Sequence, residues 1–190
     1  MKNRPVFDQP LLTGEDLMKV AEAYIDDAGL ISHHLMSYDY FVKEGLKNLI
    51  MSMSPVEIKA KGKAELKFES VEIGSPRIVE IDGMVREDIT PMECRLRNLT
   101  YAAPIYVKMS LYVDDKPVVV AEKVLIGSIP IMVKSSICPL SRMTPEELAA
   151  IGEDPLDPGG YFIINGSERV IVAIEDLSPN KVLVTVKDQK

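Results

Sequence analysis

The chain has 190 residues, with 22 Lys and Arg against 29 Asp and Glu, a formal charge of −7, two Cys and no Trp. A hydrophobic share of 46% and a charged share of 27% exclude disordered, collagen-like and coiled-coil classes. A chain of this length buries roughly 70% of its unfolded surface, so one domain can fold without a metal or disulfide, and its acidic balance argues against a free-standing nucleic-acid binder.

In chain order, the first third reads as helical. No apolar run marks the start as a secretory signal. Thr13 caps a helix with Asp16 at the capping-box position, and Leu17, Val20, Ala21, Tyr24 and Ala28 recur at helical spacing before Gly29 stops it. A second helix is expected from Ser37, with Phe41, Val42, Leu46, Leu49 and Ile50 as its buried stripe and Ser54-Pro55 as its end. From Val56 the period becomes two. Lys59, Lys61, Lys63 and Lys67 alternate with Ala60, Gly62, Ala64, Leu66 and Phe68, which predicts one strand with a lysine face.

Ile105, Val107, Met109, Leu111 and Val113 form the next alternating strand, and Asp114-Asp115-Lys116-Pro117 turns it into Val118-Val119-Val120. The longest apolar run, Val124 to Val133, holds Gly127, Ser128 and Pro130 and is too short to span a bilayer, so a soluble, cytoplasmic chain is expected. Thr144-Pro145-Glu146-Glu147 starts a short helix that Gly152 ends. Tyr161 to Ile164 and Val170 to Val172 form a second hairpin around Asn165-Gly166, and Val182, Val184 and Val186 suggest one last strand. The fold class is α+β: two N-terminal helices followed by a mostly antiparallel sheet with hairpins and one inserted short helix. The charged end after a strand suggests a piece of a longer polypeptide.

The residue types support no catalytic centre. His33-His34 has no third ligand at zinc spacing. Cys94 and Cys138 form no C-x-x-C pair and read as buried free thiols, although one bridge between them is open. Asp114-Asp115 and Glu153-Asp154 read as turn carboxylates, without the alternating spacing that gathers oxygens on one ion. Gly159-Gly160 is followed by β-favouring residues and has no lysine placed for a phosphate loop, so the glycines supply tight turns. The lysines at 59, 61 and 63 either track a phosphate backbone or keep an edge strand soluble.

Three stretches are distinctive when taken together: Glu93 to Pro104 (ECRLRNLTYAAP), Ile126 to Met132 (IGSIPIM) and Asp157 to Val170 (DPGGYFIINGSERV). Their order and separations resemble the amino-terminal region of the second-largest, β-like subunit of multisubunit DNA-directed RNA polymerases, in its archaeal form. Gly29 to His34 and the helix after it also fit. The resemblance implies that residues 1–190 form a domain like the protrusion, beside the nucleic-acid cleft. It implies a non-catalytic role within a nucleotidyltransferase: guiding template DNA and the RNA–DNA hybrid and docking initiation and elongation factors. The implied partners are the remainder of the β-like subunit, the largest subunit, the other polymerase subunits and the nucleic acid, with no membrane. No cofactor is implied in this chain, since Mg²⁺ belongs to the largest subunit of the whole enzyme.

The same resemblance brings the hairpin matching Asn165 to Val172 near the hybrid. Arg169 then either contacts a phosphate or pairs with a carboxylate across the hairpin, with Lys59, Lys61 and Lys63 as further nucleic-acid-facing candidates. Arg95, Arg97, Tyr101, Gly159, Gly160, Asn165 and Gly166 read as the structural motif, the two arginines making internal or inter-domain contacts near Tyr101. Bacterial members carry a Gln and a basic pair where this chain has Ile174, Glu175, Asp176 and Leu177, so contacts past Val172 do not transfer. The alternative is an independent interaction module of the same fold without a role in transcription.

Overall fold

The computed structural model describes residues 13–60, 62–80, 82–114, 116–182 and 184. Helix α1 (Gly14–Ala28) carries the expected capping box, Thr13 and Asp16 each bonding the other's backbone amide. Its apolar stripe is not buried: Leu17, Val20 and Tyr24 are all exposed. Helix α2 (Ser32–Tyr40) begins five residues earlier than Ser37 and runs through a π-helical turn (Phe41–Gly45) into α3 (Leu46–Ser52). His33 and His34 therefore sit in the first turn of a helix. Of the expected stripe only Leu46 and Ile50 are buried, while Phe41 and Leu49 stay exposed, because the π turn rotates the helix face partway along.

The main sheet has four antiparallel strands in the order β1 (Val56–Ala60), β2 (Gly62–Ile73), β5 (Ala102–Val113), β6 (Lys116–Pro130). The lysine run is thus a hairpin and not one strand. Lys59 and Lys63 are register partners on its two arms, and Lys61 lies outside the described residues. The chain reverses between Ala60 and Gly62, which are register partners. Lys67, further along β2, stacks over the Tyr112 ring at 4.2 Å. Strands β5 and β6 form the expected hairpin, and α3 lies against β2.

Between the long hairpins sit a two-stranded ribbon, β3 (Ile78–Val79) with β4 (Val85–Arg86), and helix α4 (Pro91–Leu96), capped by Thr90. Helix α5 (Pro145–Ala150) has the capping box read from Thr144 and Glu147. The core joins α4, the start of β5, the segment after β6 and α5 through Cys94, Tyr101, Ile131, Val133, Cys138, Leu148 and Ile163. Both cysteines are free and buried, and burial pushes the Cys94 thiol up to about 11.

The second hairpin is β7 (Phe162–Ile164) with β8 (Ser167–Arg169). Its return strand is shorter and earlier than expected: Val170, Ile171 and Val172 lie outside it and are exposed. A two-residue turn at Asn165-Gly166 pairs Ile164 with Ser167, so register alone places the return strand at once after Gly166. Val182 and Val184 are not in a strand and are exposed, and Val186 lies outside the described residues.

The hairpin is welded to the rest by backbone bonds. Tyr101 N donates to Ile163 O at 3.0 Å, Ile131 N to Tyr101 O at 2.9 Å, and Val133 N to Tyr161 O at 2.8 Å. At its tip, Gly166 N donates to Leu99 O at 2.8 Å and Asn165 N to Thr100 Oγ1 at 3.1 Å. Asn165 and Gly166 have φ of 49° and 75°, both in the left-handed region that this turn requires. A Cβ on Gly166 would lie 2.8 Å from Asn98 Cα and 3.1 Å from Arg95 O, backbone that cannot swing aside. Gly166→Val should therefore cost more than the ~1–3 kcal/mol of backbone strain alone. Thermal unfolding followed by circular dichroism will show a clearly lowered midpoint, and an unchanged midpoint would refute the turn.

Candidate functional site

Alternation along the β7–β8 hairpin sorts its side chains onto two faces. Ile163 opposes Glu168 and both serve the inner face, where Ile163 is fully buried. Phe162 opposes Arg169, on the other face. That face meets α2 and the end of β6 in an apolar groove of about 560 Å³, lined by Tyr38, Phe41, Ile129, Pro130, Phe162 and Arg169 among others. Tyr38 positions the helix side: its hydroxyl donates to Pro130 O at 2.7 Å and its ring meets Phe162 edge-on at 5.5 Å. Desolvation raises the Tyr38 hydroxyl to about 12, so it remains a donor at all ordinary pH. Asp39 secures the same helix by accepting from Ser136 N at 2.9 Å.

Arg169 is exposed at the edge of this groove, and no ion pair forms on it among the described residues. Its register partner is Phe162, so no carboxylate faces it across the hairpin. The carboxylate of the preceding residue, Glu168, is turned to the inner face and bonded to Arg95.

Arg95 is the inner anchor. Its guanidinium donates from Nη1 to Glu153 Oε2 at 3.2 Å, from Nε to Glu168 Oε1 at 2.9 Å and from Nη2 to Tyr161 Oη at 2.5 Å. Tyr161 passes the contact on, donating to Asp157. Glu153 is buried, and its second oxygen accepts from Met92 N at 2.6 Å. The turn reading of Glu153 thus gives way to that of a buried structural carboxylate. The signal was absent locally, since its partners lie 58 and 61 residues away. Arg97 works apart from this cluster, bridging Glu80 at 2.7 Å and Glu93 at 2.6 Å, with Arg86 completing the group. Hydrogen bonds from the two arginines hold Glu80 and Glu93 below the usual carboxylate range.

The Gly159-Gly160 turn has no amide to offer a phosphate. Gly159 N donates to Asp157 Oδ1 at 2.8 Å and Gly160 N to Val133 O at 2.9 Å. Both glycines have positive φ, and a Cβ on Gly159 would lie 2.5 Å from Val133 O. Gly159 packs on the Val133 backbone, whereas a Cβ on Gly160 would crowd the Ile31 side chain at 3.2 Å. Among the described residues no group of His, Cys, Asp and Glu is arranged to hold a metal ion, and no helix is long and apolar enough to cross a membrane.

A sequence profile of the family described as RNA polymerase beta subunit matches residues 29–180. The DNA-directed RNA polymerase subunit Rpo2 of Saccharolobus solfataricus is 48% identical over 173 residues, which cover 91% of this chain and 15% of that protein. The subunit Rpo2N of Methanothermobacter thermautotrophicus is 43% identical over 165 residues, or 87% of this chain and 31% of that protein. The DNA-directed RNA polymerase III subunit rpc2 of Dictyostelium discoideum is 38% identical over 170 residues, or 90% of this chain and 10% of that protein. The chain therefore spans a third or less of the length of these relatives.

Two outcomes test the anchor. Arg95→Met leaves Glu153 buried without its counter-charge and should destabilise the chain by roughly 3–5 kcal/mol. Adding Glu153→Gln should recover part of that loss in chemical denaturation. The Glu80 and Glu93 pairs stabilise fully above the ordinary carboxylate range, and that contribution is lost as pH falls through their depressed native values. Arg97→Gln should accordingly flatten the acid limb of the stability–pH curve, measured as denaturation midpoints from neutral pH to below about pH 4.

Proposed function

The chain belongs to the RNA polymerase beta subunit family, matching the amino-terminal region of the archaeal second subunit, and from that premise we propose that it forms one side of the enzyme's nucleic-acid cleft. In this reading it corresponds to the protrusion, guides template DNA and the RNA–DNA hybrid, and offers surface to transcription factors. It contributes to nucleotidyl transfer only within the assembly. Mg²⁺ and the reacting groups belong to other parts of the enzyme, and the chain by itself is inactive.

The observation that carries the reading is Arg169. A chain of net charge −7 repels nucleic acid as a whole, so contact must come through individual cations aimed outward from a rigid support. Arg169 meets that description: it sits on a short strand whose other face is bolted down by Arg95, and no carboxylate neutralises it in the described structure. Lys59 and Lys63, on the arms of one hairpin, are the further candidates, with Lys61 of the sequence reading between them. Ile174, Glu175, Asp176 and Leu177 follow the hairpin and place negative charge there, which suits a basic protein neighbour better than RNA.

Arg169→Ala in a reconstituted polymerase should weaken the transcription complex and reduce the steepness of its salt dependence by about one phosphate contact. Complex lifetimes measured across a salt series check this. Lifetimes identical to those of the unaltered enzyme at every salt concentration would assign Arg169 no nucleic-acid role.

A further inference from the structure

Helix α1 lies ahead of the stretch matched by the family profile and has no buried residue. A 15-residue helix in water is marginal on its own, and most helical stability in proteins comes from packing an amphipathic face. At 100° per residue Leu17, Ala21, Tyr24, Ile25 and Ala28 fall on one side, with Met18 and Val20 at its edges. Leu17, Met18, Val20, Tyr24 and Ile25 are between 42% and 64% exposed, a continuous apolar stripe open to solvent.

The borders of the stripe carry one sign of charge. Asp16 and Asp27 run along the Val20 edge, and Glu15 and Glu22 along the Met18 edge. Asp26 lies on the far face with Lys19, the helix's one basic residue, which is spent on Glu15 at 3.4 Å. This charge pattern selects the occupant. A second copy of the helix would bring carboxylates against carboxylates in either orientation, and anionic lipid or nucleic acid would be repelled. An apolar groove with basic borders answers both features.

We propose that α1 docks its Leu17–Tyr24–Ile25 stripe into an apolar groove, bordered by Lys or Arg, on a neighbouring protein surface of the polymerase assembly. The helix-in-groove mode reads such anchors at i, i+3, i+4 and i+7 spacing, and rim charges of opposite sign fix the register. The inference uses the family membership of the chain and is independent of the Arg169 reading. Its test registers a protein contact, whereas the Arg169 test registers nucleic acid.

The experiment places a photoreactive phenylalanine analogue at position 24 of the full-length subunit in purified holoenzyme and maps the cross-linked peptide by mass spectrometry. The expected product is a peptide outside residues 1–190 that carries apolar residues with Lys or Arg nearby. Glu22→Lys combined with Asp27→Lys, which reverses two border charges, should lower the cross-link yield by at least the roughly 2- to 30-fold that losing two exposed ion pairs would. The same probe in holoenzyme at high salt should show an intermediate loss. Cross-links confined to residues 1–190, to a second copy, to nucleic acid or to an acidic peptide would each overturn the proposal, as would no cross-link at all. A yield unchanged by the charge reversal, with helicity by circular dichroism also unchanged, would remove the basic border from it.

Discussion

The Arg95 guanidinium is the constraint on which the arrangement of this domain rests. It reaches three segments that are distant in the chain: the loop after α5 through Glu153, the approach to β7 through Tyr161, and β8 through Glu168. A buried carboxylate is stable only with its charge answered and its oxygens bonded, and Glu153 has both, from Arg95 and from the amide of Met92 on the same short helix. The helix that supplies the cation thus also supplies the backbone donor. A pair held at both ends tolerates little displacement, so the hairpin beyond it inherits a fixed position.

Fixing the inner face of a two-stranded hairpin decides the outer face as well. Because side chains alternate, holding Glu168 against Arg95 commits the next residue, Arg169, to the groove side. The same alternation seats Phe162 against Tyr38, so the apolar groove and its cation are two consequences of one register. A slip of one residue would bury Arg169 and expose Ile163, at a cost no local contact could offset. The Asn165-Gly166 turn prevents that slip, and the segment from Asn98 to Thr100 closes on the turn from outside.

Much of the apolar surface has no cover among the described residues. The stripe of α1 and Val170 to Val172 are exposed, and the groove beside α2 is open on one side. Patches of this kind mark contact surfaces. The family comparisons are consistent with that, since the relatives are several times longer than the matched stretch. An acidic chain with open apolar faces is well suited to be held by neighbours and poorly suited to act alone on nucleic acid.

Local rules in the sequence determined the elements whose causes are local. Thr13 and Thr144 cap helices because a side-chain oxygen and a carboxylate three residues later satisfy free amides, and Asn165-Gly166 turns because both residues accept positive φ. The α+β class and the long β5–β6 hairpin followed from period and turn chemistry in the same way. Tertiary structure alone decided the rest. Helix α2 starts at Ser32, the lysine run folds back between Ala60 and Gly62, and Val170 to Val172 lie outside the hairpin because register, not β-propensity, ends it. The role of Glu153 and the outward aim of Arg169 depend on partners tens of residues away. No window of sequence contains them, because a buried charge is placed by whichever distant groups can answer it.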